Sequence, residues 1–321
     1  MKCAVLCENP ANVDYVYGAK RLERLATLCD LLPGIYSGAD VAAGKLIDVE
    51  VLFSTWGMPC LSEEELDRMP KLRAVFYAAG ATDSFVRPLL ARNVKVMSAW
   101  QMNAIPVAEF CVAQIVLALK GYFRNSREVR STQSWSRENV FCGPGCYGET
   151  VALIGAGAIS TLVCRMLETY HLKVIVVPSR PERRTISLEE AFRTAFVVSN
   201  HLPNREDNIG VLNGRLFESM RPGAVFINTG RGAQVNEPEL IDVLRRRPDL
   251  TALLDVTCPE PPEKESPFFH LPNVQLSSHI AGSINDEVGR MADCAIGEFE
   301  KFAAGKEPDY LVCESMLLTS R

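Results

Sequence analysis

The sequence has few of the features that mark metal-binding or nucleic-acid-binding proteins. Its 321 residues include only four histidines, and although there are 11 cysteines, no two of them are spaced as Cys-x-x-Cys. A zinc site therefore lacks the ligand spacing that it needs, and we expect no bound metal. Lys and Arg number 34 against 39 Asp and Glu, a formal net charge of −5. This surface has no basic excess to attract a nucleic acid.

Long apolar runs are scarce as well. The longest uncharged apolar stretch, residues 110–119, is well short of the ~20 residues that a membrane span requires. The first residues, MKCAVLCENP, contain too short an apolar run for a signal peptide. We therefore expect a cytoplasmic protein that binds no membrane and whose cysteines are free thiols in a reducing compartment.

Short apolar runs alternate with helical patterns along the chain, which is typical of parallel sheets joined by crossover helices. Hydrophobic residues make up 47% and charged residues 23%, as in ordinary folded proteins. The fold class that we predict is α/β, with two doubly wound parallel-sheet domains and a cleft between them. The first predicted domain comprises residues 1–101 and 288–321, and the second comprises residues 102–287.

The predicted elements follow the same alternation. Predicted strands cover residues 2–7, 51–53, 74–77, 94–96, 150–154, 173–177, 196–199, 224–228, 251–255 and 273–276. The clearest predicted helices cover residues 61–69, 103–124 and 284–304.

A strand followed by a glycine-rich turn stands at residues 151–160, with the sequence VALIGAGAIS. Gly155 permits a tight turn, and Gly157 lets the main chain approach a pyrophosphate at the positive helix N-terminus. Ser160 occupies the third position, where Gly or Ala is usual. A Gly-x-Gly turn can also bind nothing, but the strand–turn–helix context favours a dinucleotide.

The next strand ends in Pro178-Ser179-Arg180, with Arg183 and Arg184 close behind. An NAD site usually has Asp or Glu at this strand end to bind the ribose 2′-hydroxyl, and none is present. Arginine suits a 2′-phosphate through charge-assisted hydrogen bonds. We therefore favour NADP over NAD, although the cluster could also be the solvated basic start of a helix.

Three ionisable residues follow later strands: Arg231, Glu260 and His279. Loops after parallel strands gather at one edge of the sheet, so these side chains should meet beside the glycine turn. A guanidinium binds a substrate carboxylate, and an imidazolium delivers a proton to a carbonyl oxygen. Singly, each residue could be a surface cation, a solvated turn carboxylate or a structural histidine; together they suit reduction of a 2-keto acid.

Several short sequence motifs occur along the chain in a characteristic order and at characteristic spacings. They are LRAVFYAAGATD (72–83), VAEF (107–110), GETVALIGAG (148–157), HLP (201–203), MRPGAVFINTGRG (220–232), LDV (254–256), PEP (259–261) and LPNVQLSSHIAG (271–282). In these motifs the sequence resembles the D-isomer-specific 2-hydroxyacid dehydrogenase family over nearly the whole chain.

The resemblance implies that both domains are Rossmann-like. The flavodoxin-like domain, residues 1–101 and 288–321, would be the substrate-binding (catalytic) domain, and residues 102–287 would be the dinucleotide-binding domain. The resemblance also implies an oxidoreductase that transfers a hydride between NAD(P)H and a 2-keto acid or D-2-hydroxyacid, similar to glyoxylate/hydroxypyruvate reductases. It implies that Arg231 binds the substrate carboxylate and carbonyl, that His279 is the general acid/base and that Glu260 is its carboxylate partner. In the smaller domain, main-chain amides around Gly80 and Ala81 would hold the substrate carboxylate. Trp56 could cap the substrate pocket or fill the core.

The resemblance also implies a set of residues on the cofactor side. These are Gly155, Gly157, Ala158, Ile159, Ser179, Arg180, His201, Leu202, Pro203, Thr229, Gly230, Asp255 and Gly282.

Some positions depart from the family pattern. Ser278 stands where proline commonly precedes the histidine, and Asn208 stands where threonine is usual. The carboxylate of Glu260 argues against the formate dehydrogenase branch, which has an amide there. No regulatory extension follows residue 321, so we do not expect a long phosphoglycerate dehydrogenase.

Two other functions suit the same residues. A cofactor-sensing scaffold or corepressor would bind the dinucleotide without turnover, and an enzyme of phosphonate- or phosphite-type oxidation would also use Arg, Glu and His. The resemblance further suggests a homodimer whose interface is the long helix that begins near Asn103.

Overall fold

The chain divides into two compact units in the computed structural model, which describes residues 1–136, 138 and 140–317. Unit 1 comprises Met1–Asn103 together with Ser283 and the residues after it, and unit 2 comprises Ala104–Gly282. The sequence-based division placed the boundaries at residues 101 and 287. The last four residues of its first domain, 318–321, lie outside the described residues.

The strands of the described residues are β1 Lys2–Leu6, β2 Asp30–Tyr36, β3 Val51–Ser54, β4 Ala74–Tyr77, β5 Lys95–Ser98, β6 Tyr147–Ile154, β7 His171–Val177, β8 Val197–Asn200, β9 Val225–Asn228, β10 Thr251–Leu254 and β11 Val274–Leu276. The α-helices are α1 Pro10–Val16, α2 Gly18–Leu28, α3 Gly38–Ala42, α4 Glu63–Asp67, α5 Val86–Ala91, α6 Trp100–Leu119, α7 Tyr122–Glu128, α8 Ala158–Leu167, α9 Leu188–Thr194, α10 Gly214–Glu218, α11 Glu237–Arg246, α12 Val288–Ala303 and α13 Glu314–Leu317. Short 3₁₀ turns lie at Pro181–Arg183, Glu206–Asn208, Gly232–Gln234, Pro267–Phe269 and Asn285–Glu287.

Unit 1 contains a five-stranded parallel sheet in the order β2-β1-β3-β4-β5. This is the flavodoxin-like doubly wound order. Successive strand residues enter different cores: Phe53 and Phe76 pack on one face with α12, and Leu52 and Val75 pack on the other. Both faces are therefore covered, which explains why the strands read as continuous apolar runs.

Strand β2 was not predicted. Its sequence, DLLPGIY, contains Pro33 and Gly34, which are typical of a turn, and Gly34 has φ +91°. β2 lies at the edge of the sheet, and its register with β1 is interrupted between Cys3 and Val5. An edge strand tolerates proline because one row of its N–H groups needs no partner strand.

Unit 2 contains a six-stranded parallel sheet in the order β11-β10-β9-β8-β6-β7. Ile154 and Phe226 pack into one core layer, and Leu153 and Ile227 pack into the opposite one. The chain runs from β6 outward to β7 and then returns to β8 on the other side of β6. Ligands of doubly wound sheets bind at such a switch point, beyond the carboxyl ends of the strands. The predicted fold class of two parallel-sheet α/β domains is confirmed.

The long predicted helix is divided in two. α6 ends at Leu119, Gly121 takes φ +75°, and α7 starts at Tyr122. Buried residues of α6, such as Cys111 and Ile115, pack against the sheet of unit 2.

The longest uncharged apolar stretch, residues 110–119, forms the second half of α6, and the helix as a whole is longer. Among the described residues α6, with 20 residues, is long and apolar enough to cross a membrane by length and composition alone, with a mean hydropathy of 1.8. The share of its most apolar window that is buried inside the protein is 44%. Packing against the sheet therefore accounts for part of its apolar character.

Candidate active site

The turn between β6 and α8 is shaped by its two glycines. Gly155 has φ +113°, and a Cβ there would lie 2.3 Å from the carbonyl oxygen of His201. Gly157, the N-cap of α8, has no heavy atom within 4 Å of the position that a Cβ would occupy. The first glycine therefore lets the turn pack closely on the chain after β8, and the second leaves open space in front of the helix N-terminus. Ala158 and Ile159 form the half-buried first turn of α8.

Ser160 is accommodated by a hydrogen bond. Its hydroxyl, which is buried, donates to the carbonyl oxygen of Gly155 at 2.7 Å. A buried hydroxyl with a partner costs little, so the departure from Gly or Ala is compatible with close packing of helix and strand.

A buried amide cluster fixes the loops after β8 and β9. Asn200 Nδ2 donates to Asn228 Oδ1 at 2.9 Å and to Gln234 Oε1 at 2.6 Å. Gln234 Nε2 donates to the carbonyl oxygens of Leu202 and Pro203, and the N–H of Arg231 donates to Gln234 Oε1 at 3.1 Å. These three amides hold the His201–Pro203 turn beside the Thr229–Arg231 turn. They were missed in the sequence analysis, where polar residues at the ends of buried strands are their only signal.

His201, the first residue after β8, is buried. Its Nε2 lies 2.9 Å from the Ser199 hydroxyl, and its Nδ1 has no hydrogen-bond partner among the described residues. Burial lowers the pKa of His201 to about 4, so the ring is neutral near pH 7. Thr229 contacts the Cys111 thiol at 3.2 Å, and Leu202 packs into the core.

Arg231 is the third residue after β9 and is half-buried. Its Nη1 donates to the carbonyl oxygen of Gly230 at 2.8 Å, and it forms no ion pair within the described part of the chain. A Cβ at the following Gly232 would lie 2.0 Å from the carbonyl carbon of Thr257. The loops after β9 and β10 are thus in direct contact, and the Arg231 cation stays available for an anionic ligand.

His279 and Glu260 form a hydrogen-bonded pair. His279 Nδ1 lies 2.5 Å from Glu260 Oε1, and the two side chains are 47% and 41% exposed. With the carboxylate ionised, Nδ1–H is the donor, so Nε2 is the ring nitrogen left for a ligand. His279 has φ +57°, a left-handed conformation that residues other than glycine seldom adopt. The predicted pair is therefore present in the structure.

Asp255 holds the His279 loop in place. Its Oδ1 accepts from Ser277 Oγ at 2.6 Å and from the N–H of Ile280 at 2.9 Å, and its Oδ2 accepts from the N–H of Ala281 at 3.0 Å. The N–H of His279 donates to the carbonyl oxygen of Asp255 at 2.9 Å. Asp255 was predicted to line the cofactor side. Its contacts here secure the loop, which ends at the half-buried Gly282.

A cavity of about 730 Å³ opens beside the pair. Asp255, Glu260 and His279 line its polar part, and the rest of its wall is largely apolar, with Phe269 and Leu276. Arg231 and the glycine turn do not belong to its lining. The imidazole and carboxylate therefore face a partly apolar space of the size that a small organic molecule occupies.

The end of β7 carries more charge than the sequence analysis indicated. Arg205, whose side chain is 8% exposed, pairs with Asp207, and its Nη1 donates to Ser179 Oγ at 3.4 Å. The contact with Arg205, together with the nearby Arg180, lowers the pKa of Asp207 below its ordinary value. Arg184 donates to the carbonyl oxygens of Pro178 and Ser179 and so braces the turn.

Sequence spacing could not have shown this arrangement. Arg205 and Asp207 lie in the loop after β8, and β6 separates β8 from β7 in the sheet. Their loop reaches the end of β7 only in the folded unit.

In unit 1, the amides of Gly80 and Ala81 donate to no acceptor among the described residues, and Ala81 is exposed. The carbonyl oxygen of Gly80 accepts from Ser98 Oγ at 2.7 Å. Trp56 is half-buried and packs against both cores of the unit. The filler role that the sequence left open for Trp56 matches this packing.

Comparisons with known proteins identify the family of the chain. A sequence profile described as "D-isomer specific 2-hydroxyacid dehydrogenase, NAD binding domain" matches residues 112–281, more than half of the chain. A putative 2-hydroxyacid dehydrogenase of Haemophilus influenzae is 24% identical over 287 residues, which cover 83% of this chain and 88% of that protein. The putative 2-hydroxyacid dehydrogenase YoaD of Bacillus subtilis is 29% identical over 60% of this chain, and the chain spans 59% of its length.

Among solved structures, the TT0316 protein of Thermus thermophilus superimposes with a TM-score of 0.74 at 25% identity, covering 98% of this chain and 100% of the other. The profile match contains the glycine turn, Arg231, Glu260 and His279 in one stretch. We conclude that the chain belongs to the D-isomer specific 2-hydroxyacid dehydrogenase family.

Proposed function

We propose that the protein is a nicotinamide-dependent reductase of small 2-keto acids that forms D-2-hydroxyacids. The observation that carries the proposal is the His279–Glu260 hydrogen bond of 2.5 Å, which leaves Nε2 of the ring free. Arg231, which has no ion pair among the described residues, stands at the end of β9, two strands away from β11 in the same sheet. A proton donor and a carboxylate-binding cation are the two groups that this reduction requires.

The loops of unit 2 have the features that a dinucleotide requires. The space in front of Gly157 would admit a pyrophosphate at the N-terminus of α8, and Nδ1 of His201 is a buried polar atom that lacks a partner among the described residues. We assign cofactor contacts to the glycine turn, to the His201–Pro203 turn and to Thr229 and Gly230. The bound nicotinamide supplies the hydride that the substrate C2 accepts.

The side chains of the protein then have separate tasks. Arg231 binds the carboxylate and carbonyl of the keto acid. His279 gives its Nε2 proton to the carbonyl oxygen as that oxygen becomes a hydroxyl. Glu260 fixes the orientation of the ring through the Nδ1–H hydrogen bond, so that Nε2 is the nitrogen available to the substrate.

We also propose that NADPH is preferred to NADH. Arg180 has no ion pair among the described residues, and Ser179 and Arg205 stand beside it as further donors at the end of β7. Asp207, a carboxylate at this place, is neutralised by Arg205, on which Glu182 also acts. The guanidinium groups of Arg180 and Arg205 and the Ser179 hydroxyl are donors that suit a 2′-phosphate better than a bare ribose hydroxyl.

The test follows the absorbance of NADPH and NADH with glyoxylate, hydroxypyruvate, pyruvate, phenylpyruvate and branched 2-keto acids. We expect turnover with at least one acid. In His279→Gln, kcat should fall by about 10²–10⁴ while the Kd for the cofactor stays within about twofold, because the ring acts on the substrate. His270→Gln, at an exposed turn histidine of the same unit, is the matched control and should keep full activity.

Turnover by His279→Gln within a few-fold of the unchanged protein would remove His279 from the reaction. Tight cofactor binding with no turnover across the panel would contradict the reductase assignment. That outcome would favour a cofactor-sensing scaffold instead.

A further inference from the structure

Glu237 makes a contact that the proposed reaction does not use. It is the first residue of α11, whose N-cap is Asn236, and its Oε1 accepts a hydrogen bond from the N–H of Cys258 at 2.7 Å. Cys258 lies two residues before Glu260. The side chain of Glu237 thus holds the main chain of the loop that carries the proposed partner of His279.

This loop has few other donors by which it can be held. Pro259, Pro261 and Pro262 lack an N–H, so Cys258 and Glu260 are the residues between 258 and 262 that have one. Within the loop, the Thr257 hydroxyl donates to the carbonyl oxygen of Pro259 at 2.8 Å. The bond from Cys258 to Glu237 instead ties the loop to a helix.

The attachment also involves the segment that carries Arg231. Gly232 lies so close to Thr257 and Cys258 that a Cβ would stand 2.0–2.5 Å from their main-chain atoms. Glu237 and Gly232 therefore touch the same part of the loop. A shift of the Cys258 main chain would therefore change both the position of Glu260 and that of the turn after Arg231.

We propose that Glu237 is a positioning residue: by accepting the Cys258 N–H it fixes the 257–260 loop, and through that loop it sets Glu260 against His279. Only the kinetic consequences of this proposal rest on the proposed reductase function.

The protonation state of Glu237 controls this contact. Burial raises the pKa of Glu237 to about 7, and the hydrogen bond from Cys258 opposes that rise. Glu237 lines a cavity of about 260 Å³ together with apolar residues such as Ile209, Val235 and Pro238. Within the described part of the chain, the segments around this cavity also carry Glu239 on α11, Cys258 and Glu260 on the loop, Arg231 before Gly232, and Glu206 and Asp207 before Ile209. In the docked position the neutral carboxyl is therefore the favoured form below about pH 7.

The sign of the pH effect follows from linkage. A docked carboxyl whose pKa lies above that of the solvated carboxyl binds its proton more tightly, so docking is favoured at low pH and weakens as the pH rises towards 7. With the ordinary pKa of 4.5 for the undocked side chain, the ratio of undocked to docked loop should increase about tenfold between pH 6 and pH 8.

Amide hydrogen exchange at Cys258, resolved by NMR on the full chain, tests this directly. After correction for the intrinsic pH dependence of exchange, the protection of this amide should fall about tenfold from pH 6 to pH 8. In Glu237→Gln, whose amide oxygen accepts the same bond and does not titrate, protection should be constant over this range. In Glu237→Ala, protection should be lost at both pH values.

Glu239→Gln and Glu239→Ala provide the matched controls. Glu239 lies two residues further along α11 and makes an equivalent bond, in which its Oε2 accepts from the N–H of Gly214 at 2.6 Å. These variants should leave protection at Cys258 and its pH dependence unchanged.

Kinetics supply the second readout. With any keto acid that the protein reduces, kcat at pH 6 should fall about tenfold or more in Glu237→Ala and stay within about twofold in Glu237→Gln, because a displaced Glu260 no longer orients the ring. If no keto acid is reduced, the reductase assignment fails, and amide exchange still decides on Glu237. Unchanged Cys258 protection in Glu237→Ala, or the same pH dependence in Glu237→Gln as in the unchanged protein, would overturn the proposal.

Discussion

His279 stands with φ +57° because four hydrogen bonds from its loop converge on Asp255. A non-glycine residue in this region costs of order 1–3 kcal/mol, and the buried carboxylate supplies the compensating contacts. The ring is then held by Glu260 on a second loop. At the scale of single residues, the sequence motif predicts which histidine acts in the site. The orientation of that histidine depends on hydrogen-bond acceptors that follow a different strand.

Cofactor preference also depends on single residues. We expect Arg180→Ala to raise the Kd for NADPH by about 10–100-fold and to leave that for NADH within about twofold, since a charge-assisted bond to a phosphate contributes about 1.5–3 kcal/mol. Fluorescence titration of both cofactors measures this. Arg183→Ala is the control, because Arg183 is an exposed cation of the same segment. Equal losses for the two cofactors in Arg180→Ala would refute a 2′-phosphate contact.

At the scale of elements, hydrophobic patterning located the strands of both sheets except β2. The buried strands are uninterrupted apolar runs between polar turns, and that pattern is local. β2 was not predicted because its proline and glycine are tolerated only at a sheet edge. The position of a strand within the sheet cannot be read from its own residues. The end of α6 was placed five residues too late, at 124 rather than Leu119, because the apolar pattern continues through Gly121 into α7.

The glycine turn between β6 and α8 gives a prediction at this scale. Gly155→Ala would place a Cβ 2.3 Å from the His201 carbonyl oxygen at φ +113°, so we expect Tm to fall by roughly 4–8 °C. Gly157→Ala has open space for its Cβ and should leave Tm within about 2 °C. It should nevertheless raise the cofactor Kd by roughly tenfold or more, because the methyl group occupies the space that the pyrophosphate needs.

Differential scanning fluorimetry and cofactor titration separate the two effects. A Gly157→Ala protein with unchanged cofactor affinity would show that the dinucleotide does not approach this turn.

At the scale of the whole molecule, each unit buries its own sheet between two layers of helices. This explains why composition and alternation alone predicted an α/β protein of two domains. The homodimer remains a prediction. α6 combines a buried face with exposed apolar residues, among them Leu117, which is 39% exposed.

We expect the protein to run as a dimer in size-exclusion chromatography with light scattering. Leu117→Glu should shift it towards monomer, because a charge buried in an interface without a partner is costly. Ile47→Glu changes a residue that is 54% exposed, in unit 1, and serves as the control. A monomeric parent protein, or a dimer that Leu117→Glu leaves intact, would contradict the assignment of α6 to the interface.

The sequence by itself determined the parallel α/β class, the glycine turn and the three residues Arg231, Glu260 and His279. Each of these depends on local patterns: apolar runs of strand length, glycines that only a tight turn requires, and ionisable residues in the loops that follow strands. Tertiary structure decided which groups surround them. The Asn200–Asn228–Gln234 cluster, the Arg205–Asp207 pair at Ser179 and the bond from Cys258 to Glu237 join loops of different strands. The order of strands in a sheet is set by packing of the whole unit, so no spacing along the chain records which loops become neighbours.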